Sequence, residues 1–186
     1  MNWFSFAIAA WIGFGLEIGL RDMFSLRPWS PAPSFVVALL VFIAMHASQR
    51  AVLWAAVILG VIVDLTGSFT LQTGGSAVLL GPNAIGFLLG AQVVLALRGM
   101  IVSRNPLSMG VLAIAVSAVS QIVVVAFLTV HKIYSDPIDW DASRRLLDSL
   151  LSAIYTGAAA TILSFLFIPI TPLFGFVHVN RRFGHP

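Results

Sequence analysis

The run from Leu107 to Val130 contains no Asp, Glu, Lys or Arg. A helix needs roughly 20 predominantly apolar residues to cross a hydrocarbon core, and this run supplies that length. Lipid offers no hydrogen-bond partners, so the backbone of such a segment must satisfy itself, which a helix does. Five further apolar stretches follow the same logic: Trp3 to Leu20, Pro33 to Ala47, Ala51 to Leu65, Ala77 to Leu97, and Leu150 to Val177, the last broken at its far end by Pro169 and Pro172. Charged residues make up only 9% of the 186 positions and hydrophobic ones 59%. A soluble domain carries about 25% charged residues, so polar side chains cannot cover this chain. The expectation is an all-α integral membrane protein of one domain, residues 1–186, with about six transmembrane helices.

The second and third stretches are short and separated only by His46 to Arg50, which predicts a tight helical hairpin with partly buried ends. Five spans with one re-entrant segment satisfy the same constraint, because non-helical backbone is tolerated where protein covers it. The N-terminal stretch has no Lys or Arg before Arg21, unlike the charged start of a signal peptide, and reads as a retained span. With the N-terminus inside, Arg50, Arg98, Arg104, Arg181 and Arg182 are cytoplasmic and Arg21, Arg27, Lys132, Arg144 and Arg145 are not. The positive-inside rule is tied on that count. Both termini are expected in the cytoplasm. The loops around Trp29 and Trp140 read as interfacial connectors anchored by aromatic rings, with Asp141 as the N-cap of a helix running through Arg144 and Arg145 into the sixth span.

Helices associate in lipid where small residues let backbones approach. Gly15 and Gly19, and again Gly86 and Gly90, have GxxxG spacing. The last span carries two small stripes, Ser149, Ala153, Gly157, Thr161 and Ser152, Thr156, Ala160, Ser164, so it is expected at the centre of the bundle or against a partner helix. Internal packing is the expected use of these glycines.

Ionisable residues inside a span default to a functional or pairing role, and Glu17, Asp64 and His46 are the candidates. A membrane aspartyl hydrolase needs two carboxylates sharing a site, and no spacing in the sequence joins these two. There is no GxSxG, P-loop, dinucleotide glycine motif or HExxH. Cysteine is absent, which removes thiol chemistry and cysteine metal sites. No enzymatic activity, cofactor or metal is expected. Glu17 has Arg21 one helical turn on, at the favourable i, i+4 spacing. Asp64 has no basic neighbour, so its partners are either the amides of the following turn through Gly67 and Ser68, or a neighbouring helix that it caps, or a partner chain.

The segment from Gly60, Val61, Ile62, Val63, Asp64 and Leu65, through a loop with Gly67 and Gly74, to a span closing at Leu97 and Arg98 resembles the middle of the rod-shape-determining MreD family. The close of the chain, Ile168, Pro169, Ile170, Thr171, Pro172, Leu173, Phe174 and then Arg181 and Arg182, is similar as well. The resemblance implies a bundle like the S components of energy-coupling-factor transporters. It also implies a non-enzymatic scaffold of the bacterial elongasome in the inner membrane, binding the single-span protein MreC and acting with MreB, RodA and PBP2 in peptidoglycan synthesis. Gly15, Gly19, Gly60, Asp64, Gly67, Gly74, Gly86, Gly90, Arg98 and Gly157 are the candidate packing or partner contacts. The alternative from another class is a small-molecule-binding S component itself, with its site at the loop from Thr66 to Gly75.

Overall fold

The computed structural model describes residues 1–24, 32–67, 69–70, 76–101, 105–134 and 142–176. They form α1 (Trp3–Phe24), α2 (Phe35–His46), α3 (Gln49–Thr66), a two-residue antiparallel ladder of β1 (Phe69–Thr70) and β2 (Ser76–Ala77), α4 (Pro82–Leu97), α5 (Pro106–Tyr134), α6 (Ala142–Ile170) and a 3-10 turn, Thr171–Phe174. Among these residues α1, α3, α5 and α6 are long and apolar enough to cross a membrane. Their outer faces carry Trp11, Trp54, Leu107, Ile162 and Phe165, all exposed, a surface suited to lipid and not to water.

The two remaining helices are apolar but short. The 12 residues of α2 rise about 18 Å and the 16 of α4 about 24 Å at 1.5 Å per residue. Every residue of α2 from Val36 to Ala44 is buried. A helix that is apolar on all sides suits a core or a membrane span; its burial makes α2 the axle of this bundle, packed against α1, α3, α4, α5 and α6. Around it α3 packs on α4, α4 on α5 and α5 on α6 in succession, while α1 closes the ring against α2 and the C-terminal turn.

Three sequence expectations are corrected here. The fourth span begins at Pro82 and not Ala77: Ser76 and Ala77 pair with Thr70 and Phe69, and Gly81 at φ 122° turns the chain before a proline that, lacking an N–H, suits the first helical position. The short pair is α2 and α4, since α3 runs 18 residues. The helix at the centre is α2 and not α6, whose small stripe faces inward while Leu147, Leu151, Ile162 and Phe165 stay outside. The start of α6 at Ala142 agrees with the helix read ahead of the sixth span; its far end falls at Ile170, short of the expected Val177, with Pro169 still inside the helix and Pro172 in the 3-10 segment that follows. Asp141, Trp29, Trp140 and Gly74 lie outside the described residues.

The start of α1 and the 3-10 turn after α6 share one end of the bundle. Asn2 N donates to the Phe174 carbonyl at 2.7 Å and Ser5 Oγ to the Leu173 carbonyl at 2.8 Å.

Candidate functional site

The first backbone N–H groups of a helix have no partner within it, and burying them unpaired is costly where there is no water. The buried start of α2 and the buried start of α4, a helix of the surrounding ring, therefore pose one problem twice. Each is solved by a carboxylate from the preceding long helix.

Asp64 sits in the last turn of α3, 3% exposed. Its Oδ2 accepts from Gly81 N at 2.8 Å and Ala84 N at 3.3 Å; its Oδ1 accepts from Asn83 N at 3.1 Å and Asn83 Nδ2 at 2.8 Å. Residue 82 is proline and has no N–H, and Ile85 N is bonded to the Gly81 carbonyl. One side chain thus takes every free backbone donor at the start of α4. The anion also lies at the positive end of that helix dipole. Of the readings open from sequence, the neighbouring-helix cap is found; Gly67 contributes none of these bonds, and Ser68 of the same turn lies outside the described residues. Gly60, one turn earlier on α3, lets α4 in: a Cβ there would collide with the Ala84 Cα and lie 2.7 Å from Ala84 N and 2.9 Å from the Asn83 carbonyl.

Glu17 does the same for α2. Its Oε1 and Oε2 accept from Ser34 Oγ at 3.0 and 3.1 Å, and Oε2 accepts from Val36 N at 2.9 Å. Ser34 is the N-cap residue, its Oγ accepting from Val37 N at 3.2 Å. The entry strand is pinned to α6, where Thr156 Oγ1 accepts from Ser34 N at 3.0 Å and Ser152 Oγ donates to the Ala32 carbonyl at 2.6 Å. The Arg21 side chain, the sequence-expected partner of Glu17, lies outside the described residues.

The far end of α2 is closed from α4. Arg98, the C-cap residue of α4, donates from Nη1 to the Ala47 carbonyl at 2.8 Å, the first position past α2. His46 Nδ1 donates to the Phe42 carbonyl at 2.9 Å, and the His46 and Phe42 rings pack with Phe167, Phe174 and Phe176 under that end. Asp64 and Arg98, which the sequence picked out together, therefore bracket α4: one ties its start to α3, the other ties its end to α2.

The glycines divide into two kinds. A Cβ at Gly86 would come within 2.9 Å of the Ser120 carbonyl, and one at Gly90 within 2.8 Å of Val116 Cγ1, so both serve the α4–α5 contact. Gly157 meets Ile114 and the Gly110 carbonyl, serving α5–α6; Gly110, not singled out from sequence, faces it across the seam. Gly15 and Gly19 have nothing within 4 Å. Internal packing, expected for all of them, does not hold for this pair, because the face of α1 that carries them meets no other described residue. Beside Gly15 an open apolar depression of about 350 Å³ is lined by Trp11, Ile12, Phe14 and Ile18. Gly67 is at φ −87°, a conformation any residue adopts, so it does not use glycine's freedom.

Ser34, Asn83 and Gly110 are the residues that sequence reasoning missed. Gly81-Pro82, a break followed by the residue favoured at a helix start, was the readable signal for Asn83 as a first-turn neighbour. No group of three or more His, Asp or Glu side chains that could hold a metal occurs among the described residues.

The fold and this site define a class: a helical membrane protein in which carboxylates of two long helices hold the starts of the two short ones. Comparison with protein-family models, with curated proteins and with solved structures finds no match to this chain.

Proposed function

We propose that this chain is a non-enzymatic scaffold of the bacterial cell-wall elongation machinery, similar to MreD, in the inner membrane with both termini in the cytoplasm. All six helices cross or enter the bilayer, α2 as a short interior span and α4 as a short span of the surrounding ring. The observation that carries the reading is the coincidence of motif and architecture: Gly60, Asp64 and Arg98, on which the resemblance rests, are the residues that clamp α3, α4 and α2 together. Glu17 and Asp64 spend their oxygens on helix ends, which suits a scaffold.

The partner is a single-span protein of the MreC type, with MreB, RodA and PBP2 in the wider assembly. It docks on α1, the helix whose small-residue face is open. Co-expression with the MreC-like protein of the same genome, followed by affinity purification in mild detergent, tests this. The wild type retains the partner, and Gly15→Leu with Gly19→Leu loses it while staying monodisperse. Failure of the wild type to retain it overturns the proposal.

A further inference from the structure

The helix α1 is attached unevenly. Its first half buries Phe6, Ala10 and Gly13 against the bundle, Gly13 lying 3.9 Å from Leu39 Cδ2 when given a Cβ. Its start is tied to the C-terminal turn through Asn2 and Ser5, and Phe174 in that turn is buried edge-on to Phe42. From Phe14 to Leu20 no residue is buried. Across that half the described polar attachment is Glu17 on Ser34 and Val36. The junction reads Gly13, Phe14, Gly15, with Gly19 a turn further on. Glycine in a helix interior is the poorest helix former after proline, and here Gly15 and Gly19 admit no neighbour that would explain them by close packing within the chain.

We propose that the second half of α1 is a hinged arm latched by Glu17. The arm bends at Gly13 to Gly15, its carboxylate leaves the N-terminus of α2, and the apolar flank of α2 becomes accessible from the membrane at that end. Few buried contacts and, among the described residues, a polar anchor at Glu17 are the physical signature of a segment with low local stability. The first half stays down, held by the C-terminal turn. While the latch is closed, Glu17 caps α2; when it opens, Ser34 Oγ remains on Val37 N and keeps the helix start formed. This device does not depend on the scaffold reading.

The absence of cysteine makes the test direct, since introduced cysteines are the only spin-label sites. Three pairs of exposed positions are labelled in nanodiscs and their distance distributions measured by pulsed electron resonance: Ile18→Cys with Leu147→Cys across the latch, Phe4→Cys with Leu107→Cys at the tethered end, and Leu65→Cys with Leu147→Cys as a frame that excludes α1. Glu17→Ala is expected to shift the Ile18–Leu147 distribution to longer distance and broaden it, with the other two pairs unchanged. Ser34→Ala, which leaves the carboxylate in place, moves it in the same direction by less. Gly15→Ala with Gly19→Ala, which stiffens the arm, narrows it. Superposition of the Glu17→Ala and wild-type distributions overturns the proposal. So does equal broadening at Phe4–Leu107 or movement of the Leu65–Leu147 frame, because either means that the helix or bundle came apart rather than that a latch opened.

Discussion

Removing the Asp64 carboxylate should cost more than any other single change at the α3–α4 contact. Asp64→Ala leaves Gly81 N, Asn83 N and Ala84 N without an acceptor and strands Asn83 Nδ2. Hydrogen bonds between membrane helices average about 0.6 kcal/mol each by double-mutant cycles, whereas bonds to a charged group reach about 1.5–3 kcal/mol. The 3.3 Å bond to Ala84 N is the weakest of the set by length. The expected loss is about 2–4 kcal/mol, on the order of 5–10 °C in apparent Tm for a chain of this size. Asp64→Asn keeps one oxygen but turns an NH₂ toward backbone donors, so it should lose about half as much. Asn83→Ala removes one bond and should cost about 1 kcal/mol. Intrinsic tryptophan fluorescence during thermal unfolding in detergent reads the series. The decisive member is Asp64→Ala with Asn83→Ala: because the Asn83 side chain acts through Asp64, the double variant should match Asp64→Ala within about 0.5 kcal/mol. Full additivity, or an unchanged Tm for Asp64→Ala, would refute the capping account.

Other changes follow from the same contacts. Gly60→Val should force α3 from α4 and cost about 1–3 kcal/mol, the usual penalty of overpacking, read as a lowered Tm. Gly86→Leu should fall in the same range or fail to give monodisperse protein, while Gly15→Leu and Gly19→Leu stay within about 0.5 kcal/mol of wild type on the same assay. Arg98→Ala should lower stability by about 1–2 kcal/mol through the freed Ala47 carbonyl, with Arg98→Lys recovering part of it. Reporter fusions after Arg104 and at Asp139 should give cytoplasmic and periplasmic signals respectively, in line with the N-inside arrangement.

Much of the fold was readable because lipid enforces it. The long uncharged run of α5 and the proline-broken end of α6 were visible from composition and from residues that cannot continue a helix. Hydropathy could not rank the helices by position, because a helix apolar on all sides suits lipid as well as a core. That is why α2, buried from Val36 to Ala44, looked no more central than α6. Asp64 stood out as an acid without a basic neighbour, but its partners are backbone N–H groups 17 to 20 residues on. A backbone donor has no side-chain signature, so only the Gly81-Pro82 break pointed to it. Helical spacing offers Glu17 the Arg21 side chain, which lies outside the described residues; its bonds to Ser34 and Val36 cross from one helix to the next, which local periodicity does not encode. Gly15 and Gly86 have the same spacing pattern, and only three-dimensional neighbours separate an open glycine from a packed one.

The central claim is that a chain built on these capped helices serves as a partner-binding scaffold, and a co-purification measures it most directly. Tagged wild type, Gly15→Leu/Gly19→Leu and Asp64→Asn are each expressed with the MreC-like protein of the same genome, and the bound partner is quantified per mole of folded bait. Near-stoichiometric partner on the wild type, loss on the double glycine variant and retention on Asp64→Asn is the predicted result. A wild-type chain that folds, stays monodisperse and holds no such partner would contradict the account.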